Sequence, residues 1–121
     1  MKGHVSGGPS FLGANPAEIR EGPRKGLRVL KREEDLPYEL LSTLTPAQKK
    51  SAILSEKARA IVTGNARKAA IEGKPTGLKA SEMSKQQRDL LQVIVEEYAN
   101  NMPPEIAQER LSKLKKAGTN V

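Results

Sequence analysis

Residues able to support catalysis or metal binding are few in this sequence of 121 residues. His4 is the only histidine and there is no cysteine, so the usual ligands of a zinc site and the members of a Ser-His-Asp or Cys-His arrangement are missing. Disulfide bonds are excluded for the same reason. His4 lies in a glycine-rich stretch with no second ligand at a useful spacing, and we interpret it as an exposed residue.

A short acidic cluster is the second candidate for chemistry, and its members are Glu33, Glu34, Asp35 and Glu39. Two carboxylates act as an acid/base pair only when both face the reacting group. Adjacent residues on a helix point in different directions, so we interpret the cluster as a solvated helix face. The N-terminal glycines lack the strand and the Lys-Ser/Thr pair of a phosphate loop. No complete catalytic constellation is visible, and whether the chain is an enzyme stays open.

The composition allows one domain with a thin core. Hydrophobic residues make up 36% of the chain, aromatic residues only 2%, and the formal charge is +7. Basic side chains are interleaved with acidic ones along the whole chain, which is typical of solvated helix faces. No apolar run is long enough to cross a bilayer, and the N-terminus has no apolar segment typical of a signal peptide. We therefore expect no membrane insertion and leave the localisation open.

The pattern of caps and apolar spacing predicts a mostly α fold: an irregular segment over 1–14, then one helical region over 15–118 that ends in an antiparallel helical hairpin. Residues 55–80 are the least ordered interior stretch. Pro37 is expected in the first turn of a helix, because a proline inside a helix is costly. The predicted helices span about 15–21, 25–35, 37–43, 45–54, 84–100 and 103–117.

Two helix starts carry the same cap signature. Thr45 with Gln48, and Ser84 with Gln87, have the spacing of a capping box, in which each side chain bonds the other residue's backbone. Both are generic starts and do not form a repeat architecture. The second start opens the strongest amphipathic pattern of the chain, a helix expected to pack on two neighbours. Asn100-Asn101 is predicted to end it with a left-handed residue, and Gly118 to follow the last helix.

Several blocks keep the order and spacing of a known family: VSGGPSFLGANPAEI (5–19), GPRKGLRVL (22–30), EEDL (33–36), LTPAQKKSAI (44–53), IVTGNARK (61–68), GLKA (77–80) and QRDLL (87–91) with Tyr98. They resemble the conserved middle of the domain of unknown function 3500 family. The resemblance covers nearly all of residues 5–118. Pro37 departs from the helix-compatible residues of similar proteins.

What the resemblance implies lies mostly outside this chain. Full-length family members carry a Gly-His-His segment upstream, and His-Tyr-Tyr-Arg and Asn-His-Ile-His segments downstream in a strand-rich region. The resemblance therefore implies that this chain is part of a truncated domain, that its partner is the missing remainder, and that full-length relatives bind a metal and are often exported. No cofactor is expected in this chain, and His4 does not match the upstream pair.

Seven positions fall in the family's motifs: Phe11, Gly13, Asn15, Pro16, Gly26, Gln48 and Gln87. We interpret them as structural, with Phe11 buried, Gly13 supplying an unusual backbone angle and Asn15 capping a helix. The alternative is a ligand loop around residues 11–16.

The leading hypothesis for function is a helical scaffold without a complete active site. The alternative is a small basic nucleic-acid-binding protein that uses residues 84–117 as a helix-turn-helix. Glu105 argues against it, because it places a negative charge where a recognition helix meets DNA. A helical adaptor for another protein is the third hypothesis.

Overall fold

The described part of the chain is built from four α-helices. The computed structural model describes residues 12–57, 74 and 76–118. Within these ranges there is no strand, and the mostly α fold class predicted from the sequence is confirmed. None of the helices in the same ranges has the length and apolar character that a membrane crossing needs. The helices are α1 (Lys31–Thr43), α2 (Pro46–Ala52), α3 (Lys85–Asn100) and α4 (Pro104–Ala117), and a single 3₁₀ turn spans Ala80–Glu82.

Helix α3 is the central element, because α1 and α4 both pack on it. The end of α1 lies at the start of α3, where Gln87 bonds the Thr43 carbonyl. The start of α1 lies at the end of α3, where Tyr98 reaches the Glu33 carbonyl. These two contacts make α1 antiparallel to α3. A short turn then leads into α4, and the predicted C-terminal helical hairpin is confirmed.

The core is as thin as the composition predicts. The buried apolar residues of the described ranges are Leu44, Met83, Ala99 and Ala107, and none of them is completely shielded from solvent. Two of the four are alanines on α3 and α4, so each removes little apolar area from water. Stability in this part of the chain therefore depends on polar contacts as well as on apolar packing.

The predicted break at Pro37 was wrong, because α1 is continuous and Pro37 lies inside it. A proline inside a helix leaves the carbonyl four residues earlier without its N–H partner. Here that carbonyl belongs to Glu33, and it accepts a hydrogen bond of 3.4 Å from the Tyr98 hydroxyl of α3. A tertiary contact thus replaces the missing helix bond. The predicted start near residue 25 was also wrong, since α1 begins at Lys31.

The predicted helix over 15–21 is absent, and the peptide bond between Asn15 and Pro16 is cis. The backbone of Ile19 instead pairs with a later turn: its N–H donates to Leu27 at 3.0 Å and its carbonyl accepts from Gly26 at 2.8 Å. Gly26 has a φ of +87°, a left-handed conformation that glycine adopts at little cost. A closed turn therefore replaces the predicted helix.

The helix ends agree with prediction in two of three cases. Gly118 follows α4 with a φ of +76°, as predicted. Helix α2 starts at its predicted cap and ends near its predicted end. The prediction for the end of α3 was wrong, because Asn101 is right-handed with a φ of −70°.

The segment 58–73, most of the stretch predicted to be least ordered, lies outside the described residues.

Candidate functional site

The two capping boxes meet face to face, and their glutamines form a reciprocal pair. Gln48 Nε2 donates to Gln87 Oε1, and Gln87 Nε2 donates to Gln48 Oε1, both at 3.1 Å. Each glutamine also closes its own cap, since its Oε1 accepts from the N-cap backbone N–H, of Thr45 at 3.0 Å and of Ser84 at 2.8 Å. Both boxes are complete, which confirms the two predicted caps.

Each glutamine also donates a second hydrogen bond from its Nε2 to a backbone carbonyl of the other segment. Gln48 Nε2 donates to the Glu82 carbonyl, which lies five positions before Gln87, at 2.9 Å. Gln87 Nε2 donates to the Thr43 carbonyl, which lies five positions before Gln48, at 2.9 Å. An amide has two donors and two acceptor sites, and in both side chains all of them are used. We call this set of contacts the glutamine joint.

Two apolar residues lie beside the glutamine joint at equivalent positions. Leu44 precedes the cap residue of α2 and Met83 precedes the cap residue of α3, and both are buried. Gln87 is 5% exposed, which makes it the one buried polar residue in the described ranges. Arg88 extends the joint by donating to the Met83 carbonyl. The joint is therefore a small core of its own, with polar groups fully paired and apolar groups at its sides.

The chemistry available at the glutamine joint is structural. A glutamine amide neither gains nor loses a proton near neutral pH, and every donor and acceptor of the pair is occupied. A buried network of this kind fixes a unique arrangement, because an unpaired member would be costly. The joint thus sets how the segment before α2 meets the segment before α3.

The acidic cluster of α1 is engaged in pairs. Arg28 Nη2 lies 2.7 Å from an Asp35 carboxylate oxygen and 2.6 Å from a Glu34 oxygen. Both hydrogen bonds raise the pKa of Arg28 above its ordinary value, and the bond to Asp35 has the larger effect. Glu33 accepts a hydrogen bond of 3.1 Å from the Asn101 side chain. Three of the four candidate carboxylates thus hold neighbouring segments together.

A wide apolar groove lies between α3 and α4. Its volume is about 870 Å³, and its apolar wall is formed by Leu91 and Val95 of α3 with Leu111 and Leu114 of α4. Leu114 is 51% exposed, although it belongs to the predicted apolar stripe of α4. Charged groups of both signs stand in the lining, namely Arg88, Glu96 and Lys115. The groove is an apolar surface that no other described residue covers.

The family-motif positions do not form one site. Gln48 and Gln87 meet in the glutamine joint, whereas Gly26 lies in the turn that pairs with Ile19. No helix begins at Asn15, so its interpretation as a helix cap was wrong, whereas the interpretation of Gly13 stays a prediction. Pro16 lies in the same exposed stretch. Phe11 lies outside the described residues.

Sequence reasoning missed that the two caps are partners. The signal was present, since both starts read apolar residue, Ser or Thr, two residues, then Gln, at 44–48 and 83–87. The Tyr98 contact with Glu33 was missed as well, because it joins residues 65 apart, a separation that no local pattern encodes. The Arg28 pairs, which are six and seven residues apart, were also missed. In the described ranges no group of three or more His, Cys, Asp or Glu residues is placed to hold a metal ion.

Comparison with known families gives one match. The sequence model of the family described as "Protein of unknown function (DUF3500)" matches residues 1–121. The chain belongs to this family. No curated protein and no solved structure matches the chain significantly. Neither the comparisons nor the described part of the structure favours the nucleic-acid-binding alternative for this DUF3500 member.

Proposed function

We propose that this DUF3500 chain is a helical scaffold layer of a larger family domain, and that the groove between α3 and α4 is the face on which the remainder of that domain packs. The observation that carries the proposal is the exposure of the groove. Its wall is made of leucine and valine at the core-facing spacing of two helices, yet Leu114 is half exposed. A helix face with this pattern ordinarily packs against another element.

The thin core supports the same proposal. The apolar residues that are buried lie at the glutamine joint and at the turn between α3 and α4, not along the groove. Covering the groove would bury the surface that its four aliphatic side chains still expose, and apolar surface removed from water contributes about 25 cal/mol per Å². A partner that covers this face would therefore add to the stability of the chain.

The partner proposed is the strand-rich part that the family resemblance implies. A metal bound by full-length relatives is then held by that part. The scaffold's role is to support the strand-rich part through apolar packing.

A binding experiment with matched variants tests the proposal. The strand-rich part of a longer family member is supplied as a separate polypeptide, and its binding to this chain is measured by calorimetry. Leu114→Asp places a charge in the groove, whereas Leu54→Asp changes the same residue type at a similar exposure of 55% outside it. We expect saturable binding that Leu114→Asp weakens at least about tenfold, or about 1.4 kcal/mol, and that Leu54→Asp leaves unchanged.

Two results would reject the scaffold proposal. One is the absence of binding by the unaltered chain. The other is binding that both aspartate variants weaken equally, since this would place the contact away from the groove.

A further inference from the structure

Helix α2 is held in place differently from the other helices. Helices α1 and α4 pack on α3, whereas α2 has no comparable packing with any other described helix. None of its residues is buried. With seven residues it is also far shorter than the roughly 12 to 15 residues that an isolated helix needs to persist in water. Something other than packing or intrinsic propensity must therefore keep α2 folded.

The glutamine joint supplies the missing support. Gln48 belongs to the first turn of α2, and its side chain makes the contacts that cross to the α3 segment. Gln87 returns a bond to the Thr43 carbonyl, just before α2. We propose that the Gln48–Gln87 pair is a latch: when it is closed α2 is helical and fixed on α3, and when it opens residues 45–53 unfold as one unit.

Opening is accessible because water can replace most of the broken contacts. Thr45, Glu82 and Ser84, which supply backbone partners of the joint, are exposed residues. The cost of leaving a polar group unpaired is high only where water cannot reach it. The Gln87 bond to the carbonyl of Thr43, the last residue of α1, also joins α1 to α3, and it stays formed when Gln48 leaves. The bond of Tyr98 to Glu33 lies at the other end of α1 and does not involve the latch residues. Local opening of this kind occurs below the free energy of global unfolding.

The latch also controls the apolar pair that follows α2. Ile53 bonds back to Lys49 and ends the helix, and Ile53 and Leu54 are both about half exposed. With the latch closed these two side chains are presented at one fixed place. With the latch open they move with the released segment.

Amide hydrogen exchange on the full chain tests the latch. Gln48→Leu and Gln87→Leu each remove one member, and Gln86→Leu changes an exposed neighbour as the control. We expect both latch variants to speed exchange at the α2 amides of residues 49–53 about tenfold or more, with α4 amides unchanged. The double variant should exchange no faster than either single one, because each change disables the same latch.

Three outcomes would overturn the latch. Unchanged exchange in α2 would mean that packing holds the helix. Equal acceleration in all helices would mean that the glutamines act on global stability. A double variant whose effect is the product of the single effects would mean that the glutamines act independently. If Gln87→Leu fails to fold, Gln48→Glu keeps the test informative, because its carboxylate still accepts from Thr45 in the cap but cannot donate across to Gln87 and Glu82.

Discussion

The start and the middle of α3 differ in whether the structure contains their packing partner. At its start, Gln87 lies in a network where every polar group is paired and where Leu44 and Met83 are buried alongside. Further along, Leu91 and Val95 line a groove that stays open. The start of α3 is thus fully packed and bonded, whereas the apolar side of its middle has no packing partner among the described residues.

This difference indicates where the described part of the chain is self-sufficient. A small domain normally gains most of its stability from apolar burial and few of its contacts from buried amides. Here apolar burial is small, because two of the four buried apolar residues are alanines, whereas Gln87 is buried as well as they are and Leu114 of the groove is half exposed. We interpret the glutamine joint as serving this chain alone, and the groove as serving an assembly.

The strongest contrast is expected between two leucines. Leu44→Ala removes a side chain that is 7% exposed beside the joint, and Leu114→Ala removes one that is 51% exposed in the groove. A buried Leu→Ala change costs about 2 to 5 kcal/mol, so we expect a loss of at least about 2 kcal/mol in the opening free energy of the first turns of α3 for Leu44→Ala. For Leu114→Ala we expect well under about 1 kcal/mol. Hydrogen exchange at α3 amides measures both.

Equal losses for the two leucines would remove the distinction between joint and groove. In that case the groove would already be packed in the isolated chain.

A smaller change in amide protection is expected for the Tyr98 hydroxyl, which bonds the carbonyl that Pro37 leaves without a helix N–H. Tyr98→Phe removes the hydroxyl that bonds the Glu33 carbonyl, and a single neutral hydrogen bond contributes about 1 kcal/mol. Pro37→Ala restores the helix N–H to that same carbonyl. We therefore expect Tyr98→Phe to lower the protection of α1 amides in the natural chain and to have less effect in the Pro37→Ala background.

Tyr38→Phe is the matched control, since Tyr38 lies on α1, the helix that contains Glu33 and Pro37, and its side chain is highly exposed. An identical effect of Tyr98→Phe in both backgrounds would show that the hydroxyl does not replace the lost helix bond.

The smallest effect is expected at the surface pairs of Arg28. Arg28→Gln removes the contacts with Glu34 and Asp35, which are partly exposed and therefore screened by salt. We expect a slight loss of protection at the start of α1 in low salt that disappears near roughly 1 M sodium chloride. A loss that is large or independent of salt would give these pairs a role that the structure does not assign to them.

Local signals in the sequence predicted the elements better than their partners. The caps at Thr45 and Ser84, the amphipathic pattern of α3 and the glycine after α4 are short-range features, and each appears where it was predicted. Pro37 was misplaced because its cost is met by Tyr98, which is 61 residues away in the sequence. The helix predicted at Asn15 failed because Ile19 bonds a later turn.

The candidate site was predictable only in part, for the same reason. Gln48 and Gln87 were recognised as cap residues, but the bond between them joins segments 39 residues apart. The groove follows from the facing stripes of α3 and α4, which the hairpin prediction already placed side by side.

The central claim, that the groove of this scaffold is completed by another part of the family domain, is tested most directly by calorimetry of the chain alone and with the strand-rich part added. The account predicts a broad transition for the chain alone, with a van't Hoff enthalpy below the calorimetric enthalpy, and a sharper one at higher temperature in the mixture. A single sharp two-state transition of the chain alone, unchanged by the addition, would contradict it.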